Sequence, residues 1–204
     1  MMLRYFITGA VLLCLCIAAL TGCSRSPRVS FYTLGSAEGT SPAYPSKSAP
    51  SVSVANITLP DLVDRPQLVE RVNGSRVEIL ETHRWAEPLK IGISRLLAEN
   101  LASRLGSDLV AVYPQNSAGE PDYRVVVDIQ RFESMGDAVS VDAIWSIRRT
   151  PAGTTKSGRS QIHESRGREG YETLVAAYNR AIAYVSNDIA KAIHADWTAA
   201  LPQR

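Results

Sequence analysis

YRVVVDIQRFESMGDAVSVDAIWSIR, residues 123–148, is the stretch that decides the fold. Tyr123, Val125, Val127 and Ile129 alternate with Arg124, Asp128 and Gln130. Val139, Val141, Ala143, Trp145 and Ile147 alternate with Ser140, Asp142, Ser146 and Arg148. A period of two places one side-chain set in a core and the other in water, which is the mark of a half-buried strand. Gly136-Asp137 lies between the two runs, so they read as an antiparallel hairpin.

Toward the C-terminus, residues 150–158 read as a polar turn and 159–165 as a returning strand. Leu174, Tyr178, Ile182, Val185, Ile189 and Ile193 then mark a long helix with a 3.6-residue period. Toward the N-terminus, residues 109–113 form a short apolar strand ended by Pro114. Pro88 opens a helix at its first position, where its missing N–H costs nothing. Leu89, Ile93, Leu96, Leu97, Leu101 and Leu105 give that helix one apolar face, and Gly106 stops it. Residues 68–72 and 76–80 flank Asn73-Gly74, a hairpin signal because both residues tolerate positive φ. Val52, Val54, Ile57 and Leu59 suggest a further strand, ended by Pro60. No internal repeat is visible. The expected fold is α/β (α+β): a single layered domain with a mixed β-sheet packed by two main helices, the second of them C-terminal.

The 204 residues are 45% hydrophobic and 21% charged, ordinary for a globular domain, and the formal net charge is +2. Basic residues are scattered along the chain, which argues against nucleic acid as a partner. No G-x-S-x-G elbow, Walker A loop, G-x-G-x-x-G or H-E-x-x-H pair is present. His83, His163 and His194 stand apart from other ligand types, so each reads as a surface or structural histidine. No metal ligands and no catalytic residues are nominated, and the chain is not expected to be an enzyme.

The N-terminus reads as an export signal. Arg4 precedes an apolar run that closes on Leu20-Thr21-Gly22-Cys23, an aliphatic residue, two small residues and a cysteine. This is the bacterial lipobox. It predicts loss of residues 1–22 and a covalent N-acyl and S-diacylglycerol lipid on Cys23, with palmitate as the label. The competing reading is a short uncleaved membrane anchor, near the lower limit of about 20 residues for a span. Cys14 and Cys16 fall within the removed segment and acylation blocks Cys23, so no disulfide or free thiol is expected in the mature chain. Ser24 follows the cysteine, whereas Asp there is the usual inner-membrane retention signal. The expected location is therefore the outer membrane, lipid-anchored on its periplasmic face. Residues 23–30 form the lipidated N-terminus and tether, and 31–204 the domain. Residues 31–34 (Phe-Tyr-Thr-Leu) are either linker or a docked edge strand, and 35–50 should be flexible.

Two strings stand out. In Leu59-Pro60-Asp61-Leu62-Val63-Asp64-Arg65-Pro66-Gln67, two prolines around Asp64-Arg65 predict a shaped connector. In His83-Arg84-Trp85-Ala86-Glu87-Pro88-Leu89, Trp85 is an apolar anchor directly before a helix, and Glu87 sits at the positive end of that helix. Arg84 has Glu87 or Asp64 as its expected partner. Asp64, Arg65, Pro66, Arg84, Trp85 and Glu87 are thus candidates for one feature, either an internal clasp packed by Trp85 or a partner-binding surface.

These strings, with Phe31-Tyr32-Thr33-Leu34 and the strand pair, resemble the ABC-type transport auxiliary lipoprotein family, the PqiC-like intermembrane transport lipoproteins. The resemblance covers nearly the whole mature chain, and D-R-P-Q and R-W-A-E-P-L are its specific parts. It implies an accessory role at the outer membrane, docking or assembling an MCE (MlaD-like)/ABC-type lipid transporter and supporting membrane integrity. The implied partner is an MCE-domain periplasmic protein, with a homo-oligomer as a further possibility. It also implies that residues 31–34 belong to the domain. The alternative is a stand-alone periplasmic lipoprotein that holds a lipid or peptidoglycan fragment in a cavity.

Overall fold

The structure, a computed structural model, describes residues 27–35, 49–114, 119–167 and 170–200. Residues 1–22, Cys23 as the expected lipidation site, and the stretch 36–48 expected to be flexible lie outside the described residues.

The long hairpin is the spine. Strands β6 (Tyr123–Met135) and β7 (Ala138–Arg149) pair antiparallel along their length, joined by a turn in which Gly136 has φ 60°. A residue with a Cβ is strained in that region, so glycine is the fitting residue there. Strand β8 (Thr155–Ser165) continues the sheet beyond β7. The other edge of β6 is shared. Its first half pairs parallel with β2 (Val52–Thr58), and its far end meets β3 (Gln67–Arg71) at Arg71 and Met135. Strand β4 (Val77–Trp85) pairs antiparallel with β3, and β5 (Val110–Val112) pairs parallel with β2. At the edge, β1 (Ser30–Tyr32) runs parallel to β4. Residues 31 and 32 are therefore sheet and not linker, and Leu34 is buried beyond them.

Two helices cover the sheet. Helix α1 (Leu89–Leu105) packs on β2 and β5, helix α2 (Tyr171–Ala200) on β7 and β8, and the helices pack on each other. Every apolar residue of the two periodic stripes is buried, as are the inward residues of β6 and β7. This is the expected mixed sheet packed by two helices. At the end of α2, Tyr123 donates to Asp196 at 2.7 Å, and Lys156 pairs with the same carboxylate at 2.8 Å. Burial, reinforced by Asp196, pushes the Tyr123 hydroxyl well above the ordinary tyrosine range. Burial opposes the charge on Asp196, but hydrogen bonds from Lys156 and Tyr123 outweigh it and lower its pKa.

Three local expectations need correction. Pro88 stands one residue earlier than expected, as the N-cap with φ −52° and ψ 129°. The β3–β4 turn does not use positive φ at Asn73 or Gly74. Instead the Asn73 side-chain oxygen accepts from the N–H groups of Ser75 and Arg76, an alternative way of closing a loop. Finally, residues 155–158 are strand and not turn.

Gly158 explains the last difference. It lies opposite Trp145, and a Cβ built there would fall 2.2 Å from an atom of the indole ring. The indole occupies the space of the missing side chain, and its Nε1 donates to Ser160, whose hydroxyl in turn bonds Asp188 of α2. Gly158→Ala should therefore destabilise by about 1–3 kcal/mol through overpacking, although alanine suits a strand better than glycine. An unchanged thermal midpoint would refute this account of the glycine.

Candidate functional site

The connector and the head of α1 meet because β6 changes neighbours. The chain must cross from β2 to β3, and residues 60–66 do so at the head of α1. Pro60 folds the crossing, its carbonyl accepting from the N–H groups of Val63 and Asp64. The Pro66 carbonyl accepts from the Trp85 N–H at 2.7 Å, which fixes the connector to the end of β4. On the other side, Lys90 in the first turn of α1 pairs with Asp64 at 2.6 Å.

Between these ties lies an open cleft of about 330 Å³, lined by Asp64, Arg65, Pro66 and the run from Trp85 to Leu89. Both strings singled out in the sequence contribute to it. Trp85 forms part of the lining and is 7% exposed. Its indole meets the rings of Phe132 and Tyr178 edge-on, at centroid distances of 6.4 and 6.3 Å. Phe132 and Tyr178 stack at 4.0 Å beneath it. Burial raises the Tyr178 pKa far above its ordinary value.

Five of the six candidates, Asp64, Arg65, Pro66, Trp85 and Glu87, are brought together; Arg84 is not. Arg84 precedes Trp85 on β4, and neighbouring strand residues point to opposite faces. Its guanidinium pairs with Glu81, not with Glu87 or Asp64 as expected. Glu87 is taken by Arg95 at 2.6 Å, and its carboxylate lies over Gly92, where there is no side chain to displace it. Arg95 also donates to the Leu34 carbonyl at 2.7 Å and to Glu99, so it fastens the segment after β1 to α1. Hydrogen bonding to Glu87 raises the Arg95 pKa.

Lys90 and Arg95 were not singled out in the sequence. Asp64 lies far from Lys90 in sequence, and Glu87 lies eight residues from Arg95, beyond the three- and four-residue spacings that mark helix pairs. Among the described residues the Arg65 guanidinium has no hydrogen-bond or ion-pair partner, and its Nε is buried. Elsewhere, His83 accepts or donates at Tyr32 and packs on Tyr171, and His163 bonds Ser140. Among the described residues no cluster of three metal-ligating side chains occurs, and no helix is long and apolar enough to cross a membrane.

Comparison with known proteins fits this architecture. The family model described as "ABC-type transport auxiliary lipoprotein component" matches residues 32–190. No curated protein matches the chain. Among solved structures, a protein described only as uncharacterized is similar at 20% identity and TM-score 0.67, over 82% of this chain and 99% of that one. A protein of Xanthomonas campestris is similar at 16% identity and TM-score 0.63, over 78% of this chain and 92% of its own. At these identities the likeness is one of fold.

Proposed function

We propose that this chain, which belongs to the family of ABC-type transport auxiliary lipoprotein components, is the outer-membrane docking subunit of an MCE (MlaD-like)/ABC-type transporter. The transporter moves lipids between the two membranes of a Gram-negative envelope and so supports membrane integrity. In this reading the role is accessory and not catalytic. Lipid on Cys23 holds the chain at the periplasmic face of the outer membrane, and an MCE-domain periplasmic protein is its partner. Several copies assembling into a ring would give that partner a repeated surface.

The observation that carries this reading is that the two sequence strings bearing the family resemblance close on one cleft, as a surface built for a contact requires. The alternative, a stand-alone lipoprotein that stores a lipid or peptidoglycan fragment, calls for an enclosed apolar chamber. The cleft is instead open to solvent, and the space beneath it is filled by Trp85, Phe132 and Tyr178. That favours docking over storage.

The anchor is tested by labelling with palmitate and by membrane fractionation. The wild-type chain should carry label and sediment with the outer membrane, while Cys23→Ala should carry none. Several acyl chains at about 0.8 kcal/mol per buried CH₂ make the difference large. Fractionation of the wild-type chain with the inner membrane would sink the location. Docking is tested by co-purification of an MCE-domain protein from the same cells, and failure of the wild-type pair to co-purify would sink it.

A further inference from the structure

We propose that the cleft is a receptor for a carboxylate carried next to an apolar side chain on a partner protein, with Arg65 receiving the carboxylate and Trp85, Pro66, Pro88 and Leu89 the apolar group. The inference rests on the docking reading above and names the chemistry of what docks.

The charges around the cleft lead to it. Asp64 is held by Lys90 and Glu87 by Arg95, each at 2.6 Å. Of the three charged residues that line the cleft, Arg65 is the one whose guanidinium has no ion pair or hydrogen bond among the described residues, and its Nε is buried and unbonded. A buried donor without an acceptor is a standing cost that an occupant can remove. A guanidinium presents a planar fork that matches a carboxylate with two parallel hydrogen bonds. Helix α1 begins at the cleft wall with no side chain capping it and no acidic residue in its first turn.

The remaining lining decides what the carboxylate is attached to. Pro66, Ala86, Pro88 and Leu89 offer carbon, and Trp85 the edge of its indole. The volume, about 330 Å³, lies at the low end of the roughly 300–1,000 Å³ usual for small-molecule sites. That is room for one or two side chains and too little for a lipid with two acyl chains. Asp64 and Glu87 line the same cleft, so an occupant with one negative charge meets less repulsion there than one with two. Tryptophan and arginine are also the residue types that dominate protein–protein contacts.

The test uses the full chain extracted in non-ionic detergent, with its three tryptophan indoles labelled for NMR. The Trp85 indole signal is identified by its loss in Trp85→Phe. The probes are N-acetyl-Leu-Asp-amide and its neutral counterpart N-acetyl-Leu-Asn-amide. The aspartyl probe should move the Trp85 signal saturably, with the asparaginyl probe at least about tenfold weaker. Arg65→Gln should erase that preference, and Arg65→Lys should keep part of it, while unmoved Trp145 and Trp197 signals show that the variants are folded. Equal binding of the two probes, or a preference that survives in Arg65→Gln, would overturn the proposal. So would an Arg65-dependent shift produced by lysophosphatidylglycerol and not by the aspartyl probe, which would assign the cleft to a lipid headgroup.

Co-purification separates this inference from the reading it rests on. Loss of the MCE-domain protein in Arg65→Gln, against retention in wild type, supports both. Retention in wild type and in Arg65→Gln alike overturns the cleft as the docking point and leaves docking standing. If the wild-type pair does not co-purify, docking fails, and the peptide titration alone decides the cleft.

Discussion

Trp85→Ala should cost about 3–5 kcal/mol of stability, the range for removing a large buried aromatic. For a chain of this size that is a fall in thermal midpoint of roughly 6–20 °C. The size follows from position. The indole is 7% exposed, ends β4, and closes over the stacked pair Phe132 and Tyr178. Trp85→Phe keeps a ring against that pair and should lose much less. A cost below about 1 kcal/mol for the alanine variant would mean that the cleft floor supports nothing beneath it. The result also limits what Trp85 can say about docking. A variant that loosens the core loses partner binding indirectly, so contact and scaffold are inseparable at this residue. Arg65 lacks that double role, because its guanidinium joins no intramolecular pair among the described residues.

The parts of this fold that could be read in advance are those where one neighbour on each side sets the pattern. The alternation from Tyr123 to Ile147 and the stripe from Leu174 to Ile193 each bury one face against a continuous layer, so a simple period survives in the sequence. The end of β4 was not legible, because Glu81, Thr82, His83 and Arg84 are polar and belong to a strand through their position beside β1. Gly158 has the look of a turn residue, yet it is required in a strand by an indole on the neighbouring strand, at a sequence distance no local rule spans. The cleft was half legible. Its two strings were conspicuous, but their meeting depends on β6 changing partners from β2 to β3, which no periodicity encodes. The pair Lys90–Asp64 depends on that meeting in turn, whereas Arg95–Glu87 is local to the head of α1 and was missed because it spans two turns and not one.

Ile182→Ala and Ile189→Ala should each cost about 2–5 kcal/mol. Both side chains are fully buried, seven residues apart on the face of α2 that meets α1 and the sheet. The helices are held there mainly by such contacts. The polar links between them are few: Asn100 to Ser186 at 3.4 Å, within the buried face, and Arg104 to Asn187 at 2.9 Å, partly buried. Neither has the geometry or burial to replace a lost isoleucine, since a net hydrogen bond contributes only about 1 kcal/mol. Two sites roughly 10 Å apart along a helix share few neighbours, so the double variant should lose close to the sum of the two. Tyr184, on the same helix and 52% exposed, is the internal control. Its replacement by alanine should fall within about 0.5 kcal/mol of wild type, because little is buried and alanine favours helix. Denaturant melts of the four variants check the whole set. Costs below about 0.5 kcal/mol at both isoleucines would mean that α2 turns a different face to the core. A cost at Tyr184 equal to theirs would refute its place on the exposed face of α2.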